Sequence, residues 1–317
     1  MKTIFEQNRD NEMKNSLYLE FHYSRKLSLD SMLMESKGNM NNVDEYLKTV
    51  MTEFRTQTNN GKVNKVIVVT EKEFSNVPNP IAKQFKVIID YQNSDNENIY
   101  GVYNSKKSNL TNNVLDYVEI KVVAHGNYKS LLYELPRMLS HEFLHAYEKL
   151  MRLRKGNNRM ESDAYTNNNI ARQIANMTND EVIKHISMIY YYCSSFERNA
   201  YTAQLNQQII QYKDTIQDSE TAYQVLQTTP LYQQYMAFGR TLLVLNKNKE
   251  QYKDSIEEWY ELVYDGKHLS YGKIVRRLIN LYNKTWRKIR KTTASYLRYV
   301  YENNDNVGGL YDNFQID

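Results

Sequence analysis

Apolar positions first recur at a helical interval in Val43, Tyr46, Leu47, Val50, Met51 and Phe54, which predicts a helix over Asn42–Thr58 behind a polar N-terminal arm. The texture then changes. Lys65–Val69, Phe85–Ile89 and Val118–Val123 are β-branched runs of strand length, and Tyr100–Tyr103 is a shorter fourth. Together they predict a small mixed sheet. Beyond His125 the pattern is helical. One helix is expected from Pro136, a residue suited to a first turn, to Gly156. Another is expected from Thr178-Asn179-Asp180-Glu181, with Thr178 as N-cap and Glu181 reaching back, and it should run on past Glu197. QYKDTI at Gln211 returns as QYKDSI at Gln251, which fits either a duplicated helical unit or chance. Ile274, Leu278, Leu281, Ile289, Tyr296 and Val300 mark the buried side of a long helix over Tyr271–Glu302. The fold class that follows is α+β. The expected divisions are an arm and helix over 1–59, a sheet-bearing core over 60–205, a helical domain over 206–302 and a polar tail over 303–317.

Composition narrows the picture. With 4 prolines and 10 glycines in 317 residues, long helices are favoured over a turn-rich all-β fold. Cys193 is the only cysteine, which excludes an internal disulfide and a cysteine-rich zinc module. No apolar run approaches the roughly 20 residues needed to span a bilayer. The opening MKTIFEQNRDNE has no apolar core of a secretory signal, so a cytoplasmic protein without a membrane span is expected.

Charge is uneven. The net charge is +4, yet Tyr271–Glu302 alone holds nine Lys or Arg and one acid, for +8, leaving −4 on the remainder. That helix is a candidate surface for an acidic partner or DNA, with a solvated helix face as the ordinary alternative. The 28 tyrosines suit protein interfaces, so other subunits, in an assembly or a homo-oligomer, are expected partners.

The sharpest signal is His141-Glu142-Phe143-Leu144-His145. Histidines at i and i+4 lie one turn apart on one helix face, so both imidazoles can reach one metal. With His141 set at zero and about 100° per residue, His145 falls near 40°, while Leu139, Phe143, Ala146, Leu150 and Leu153 cluster around 160°. The helix therefore has an apolar back for a core and a histidine front for a cleft.

With strand Val118–Val123 before it and a later glutamate-bearing helix, this segment resembles the HExxH zinc metallopeptidases, the zincins, and within them the gluzincin branch. The resemblance covers about residues 60–205 and implies a zincin-like core holding Zn2+ through His141 and His145. It further implies that Glu142 activates a zinc-bound water for hydrolysis of a peptide or protein substrate, and that Val118–Val123 is the edge strand along which an extended peptide pairs.

Three residues compete as third ligand. Glu161 follows His145 by spacing, but if the chain turns at Gly156–Asn158 and runs back, it sits about 12 Å short of the metal. Glu197, in SSFERNAYTAQ, is preferred because its one-turn neighbours are mostly small and because the phrase resembles the Glu-x-x-Ala part of gluzincin glutamate helices. A surface carboxylate paired with Arg198 or a nearby lysine is the ordinary alternative. His185 is a rival about 18 Å away if one straight helix carries both. Tyr201 is a candidate oxyanion donor and Glu148 a candidate for the cleft. His125 reads as a loop residue at a strand end, His22 and His268 stand alone, and Cys193 reads as a buried helix residue.

A zinc-dependent peptidase is thus the first expectation. The second, from another class, is a structural or assembly protein of a bacteriophage virion, a neck or tail component, built on a zincin-like fold with its metal site retained or vestigial. The long helical second half and the basic helix motivate it. Composition, with no motif behind it, also resembles virion proteins of crAss-like phages. Either reading places the protein in a host cytoplasm, or in the particle.

Overall fold

A computed structural model describes residues 3–22, 46–71, 85–106, 117–154, 162–195, 197–212, 215–216 and 219–302. Among these the chain is mixed α+β, a four-stranded mixed sheet accompanied by helices. The described residues divide into two compact units, one within 46–154, the other of 3–22 with 162–302.

The first unit carries the sheet: β1 (Lys65–Glu71), β2 (Phe85–Asn93), β3 (Asn98–Lys106) and β4 (Tyr117–Gly126), in the order β1-β2-β4-β3. β2 and β4 run parallel, and β1 and β3 flank them antiparallel. Alternation places Phe85, Val87, Ile89 and Tyr91 of β2 beside Val118, Ile120, Val122 and Ala124 of β4 on one buried face. Against that face pack α2 (46–58), through Tyr46, Leu47, Val50, Met51 and Phe54, and α3 (Tyr128–Arg154), through Leu131, Leu135, Leu139, Phe143 and Ala146. The apolar face expected of α2 is the one it buries. The expected edge strand is corrected, because β4 pairs on both sides and the edges are β1 and β3. His125 is likewise within β4, level with Gln92 and Asn98, rather than in a loop. The helix expected from Pro136 begins eight residues earlier, at Tyr128, where Asn127 Oδ1 accepts the Lys129 N–H at 2.9 Å and so caps the start. Pro136 is inside it.

The second unit holds α1 (Ile4–His22), α4 (Ser162–Met177), α5 (Glu181–Tyr192), α6 (Glu197–Ile210), α7 (Ser219–Thr228), α8 (Pro230–Lys247), α9 (Lys249–Val263) and α10 (Tyr271–Glu302). The polar arm is therefore a helix over much of its length. Its apolar residues are too sparse to announce it, but Met13 and Leu17 are fully buried in the unit's core. Polar contacts complete the seat. Arg9 lies over the rings of Phe5, Tyr282 and Trp286 at 5.4–5.5 Å and donates to Asn283 Oδ1 at 2.7 Å. Trp286 Nε1 donates to Glu12 Oε2 at 2.6 Å. Burial alone would raise the Glu12 carboxyl, but the Trp286 and Arg9 hydrogen bonds and the charges of Arg9 and Arg290 outweigh it and hold the group below its usual range.

Two local expectations move. The N-cap of α5 is Asp180, whose side chain accepts from Val182 and Ile183 N–H, while Thr178 Oγ1 accepts from Asp180 N–H. α5 also stops at Tyr192 instead of running past Glu197. The repeat at Gln211 and Gln251 does not mark equivalent structure, since Gln251 is inside α9 whereas Gln211 and Tyr212 form a turn after α6. The 303–317 tail and Gly156 lie outside the described residues.

Candidate metal centre

The HExxH segment sits in the fourth and fifth turns of α3, held by its apolar back. Leu139, Phe143 and Ala146 are buried under the sheet. Phe143 meets the Tyr46 ring edge to face at 4.4 Å and stacks toward Phe85 at 6.1 Å. These contacts fix the rotation of the helix, and with it the direction of His141 and His145. The two Nε2 atoms are 3.1 Å apart, His141 is 6 % exposed and His145 is part-buried.

Glu142, between them, is also 6 % exposed. It lies against β3, where Gly101 leaves the space it occupies. A Cβ built on Gly101 would come within 2.6 Å of Glu142 Cγ and 2.8 Å of Oε1, closer than such atoms approach. In the sequence Gly101 is one of four residues of a short strand. The available signal was the glycine itself, since a glycine inside a strand often marks a close approach.

Glu197 is the first residue of α6 and 9 % exposed. Its N–H donates to Ser194 Oγ at 3.2 Å, which is half of a capping box spelled Ser194-x-x-Glu197. That cap is the physical reason α5 and α6 are separate helices. The junction is tied down from several sides: Asn168 Nδ2 donates to Ser194 Oγ at 2.7 Å, and Arg198 donates to Thr285 Oγ1 and to the Cys193 carbonyl, both at 3.1 Å. Arg198, one of the two surface partners weighed for Glu197, makes these contacts with Thr285 and Cys193. Arg172 lies over the Tyr191 ring at 5.5 Å.

His141, His145 and Glu197 are together a group that could hold a metal ion, the two histidines from the sheet-bearing unit and the glutamate from the helical one. His185 is not in that group. Its Nδ1 is 2.8 Å from Thr241 Oγ1, and its Nε2 is 3.9 Å from Glu181. Glu161 and the side chain of Glu148 lie outside those described. Tyr201 stacks on Tyr192 with ring centroids 4.0 Å apart, and burial pushes its hydroxyl well above the usual tyrosine range, so it keeps its proton. His268 pairs with Glu261 at 2.8 Å on an exposed surface. Cys193 is fully buried, and its thiol is pushed up to about 12, which makes it a poor nucleophile. No helix among the described residues is long and apolar enough to cross a membrane. No family model, curated protein or solved structure matches the chain.

Proposed function

We propose that the protein is a zinc-dependent metallopeptidase with a zincin-like core, in which His141, His145 and Glu197 hold the metal and Glu142 is the general base. The observation that carries this reading is the His141–His145 pair, whose Nε2 atoms are 3.1 Å apart on one helix face. Two nitrogens bound to one tetrahedral zinc at about 2.05 Å stand about 3.3 Å apart, so the pair has ligand spacing before any metal enters. Two imidazoles and one carboxylate are also a donor set that catalytic zinc takes, with a fourth position left for substrate or water.

A zinc ion there supplies Lewis acidity. Glu142 accepts at its carboxylate a proton from the water whose oxygen adds to the peptide carbonyl carbon, then delivers that proton to the amine nitrogen as the C–N bond breaks. Its burial against Gly101 limits its freedom, so the carboxylate is positioned before substrate arrives. β3, at the sheet edge beside that carboxylate, takes the substrate as an added strand, the part first expected of β4.

The test is metal content by mass spectrometry, on wild type beside His145→Ala. About one zinc per chain, lost in the variant, is expected. A chain purified without chelators and dialysed against zinc that still carries none would sink the reading. Metal retained with no hydrolysis of any unfolded protein substrate would favour the assembly role instead.

Gly101→Ala offers a separate check on Glu142. The added methyl occupies the space of the Glu142 side chain and must displace it, while alanine is acceptable to a strand. Zinc content and melting temperature should hold, and hydrolysis should fall about 100-fold, the usual consequence of a misplacement near 1 Å. An unchanged rate in Gly101→Ala would show that Glu142 is not positioned by β3.

A further inference from the structure

One face of α10 is left out of that reading. Its apolar side, with Ile274, Leu278, Tyr282, Trp286 and Ile289, is buried in the core of the helical unit. The opposite side is exposed at Lys273, Arg276, Lys284, Arg287 and Lys291. With Asn280 filling the gap, these positions follow intervals of three and four residues, so at about 100° per residue they stay within an arc of roughly 80°. At about 1.5 Å per residue the stripe is roughly 27 Å long and straight. No Asp or Glu occurs between Tyr271 and Tyr301. None of the five cations has an ion pair or hydrogen bond among the described residues, whereas Arg277 is engaged with Tyr260 and Tyr264, and Arg290 with Glu12.

We infer that this stripe is a docking surface for the phosphate backbone of duplex nucleic acid, bound without regard to sequence. Five like charges held on one rigid rod repel one another, and an anion of regular charge density removes that repulsion. Duplex DNA carries one negative charge per about 1.7 Å of its axis, counting both strands, so the length matched by the stripe presents about sixteen charges around its circumference. The other classes of polyanion fit less well. A membrane-surface helix must bury apolar side chains in lipid, and those of α10 are already buried in protein. A protein interface draws its energy from aromatic and apolar anchors, and single-stranded nucleic acid from aromatic platforms, yet the stripe presents only Lys, Arg and Asn. Point charges without anchors suit phosphates contacted from outside the bases.

The experiment uses the full chain and a fluorescein-labelled DNA duplex of about 20 base pairs, followed by anisotropy from 50 to 200 mM salt. Five phosphate contacts predict a slope of about −4.5 in log affinity against log salt, or about a 500-fold loss over that range. A scrambled duplex should bind within about twofold, since phosphates carry no sequence. Changing all five residues to Gln should weaken binding at least ~100-fold at 50 mM without altering the melting curve, because the side chains are exposed. Exchanging Lys for Arg and Arg for Lys at the same positions should restore it. Changing Lys247, Lys249, Lys253 and Lys267, which are exposed elsewhere in the unit, should leave it near the wild-type value. The proposal is overturned if the wild-type chain fails to bind duplex at low salt, or if both Gln variants lose binding equally. It is also overturned if sedimentation shows salt-sensitive self-association that the five-residue variant abolishes while duplex stays unbound. That result would make the stripe an interface between copies.

Discussion

A Glu142→Gln chain is expected to bind its metal as the wild type does and to hydrolyse peptide bonds about 10²–10⁴-fold more slowly. Glutamine has nearly the volume of glutamate, so the buried space beside Gly101 stays filled and α3 keeps its packing. What is lost is an oxygen able to take and return a proton. Metal content and rate have to be measured on the same preparation, because together they separate two roles. Zinc retained with a collapsed rate identifies a general base. Zinc lost with the rate would mean that Glu142 maintains the ligand group. A rate equal to the wild type would remove Glu142 from the chemistry altogether. The Gly101→Ala variant should move in the same direction by a smaller amount, since it displaces the carboxylate without abolishing it.

Trp286→Ala is expected to destabilise the helical unit by about 3–5 kcal/mol, the usual range for emptying a fully buried indole site. Trp286 is 0 % exposed, faces Tyr232 at 5.8 Å between ring centroids, lies under Arg9 and donates to Glu12. Its removal opens a cavity and strips α1 of both an aromatic seat and a hydrogen-bond donor. Trp286→Phe separates the two contributions. It keeps most of the volume and forfeits the N–H to Glu12, for about 1–2 kcal/mol, held down because Glu12 is 41 % exposed and recovers water. The chain has two tryptophans, and Trp259 is also buried in this unit, so denaturant unfolding followed by its emission reports the unit on its own. For a unit of this size the alanine variant should melt on the order of 10 °C lower. A shift of a degree or two would show that α1 is seated by its other contacts.

The acid sensitivity of the α1 seat has a defined sign. The Glu12 carboxyl is held below its ordinary range in the folded chain, so its contribution is complete above the unfolded carboxylate pKa and fades as pH falls through the lower folded value.

Much of this protein is local, and the local part was legible from residues alone. The alternation of β2 and β4, the one-sided apolar face of α2 and the single-turn spacing of His141 and His145 each depend on a repeat of 2 or 3.6 residues within one element. The same holds for the angular separation of Leu139, Phe143 and Ala146 from the two histidines, which the burial of those three bears out. Such features need no partner to be read. The boundaries that periodicity does not place are set by short polar caps: Asn127 before α3, Asp180 before α5, Ser194 before α6. A single side-chain oxygen decides each of these, and it competes with a helical periodicity that would carry the eye straight through.

Other features belong to the tertiary structure. α1 has too few apolar residues to announce itself, and it becomes a helix with a buried side because a core and a tryptophan are supplied by residues more than 200 positions away. The order β1-β2-β4-β3 is equally invisible in the strands themselves, since a strand alternates in the same way whether it has one neighbour or two. That order alone puts β3 at the edge and lays Gly101 beneath Glu142. The histidine pair was therefore determined by the helix that carries it. The place of the carboxylate between them was decided by a strand about 40 residues earlier, because a close approach is a property of two segments and appears in neither one read alone.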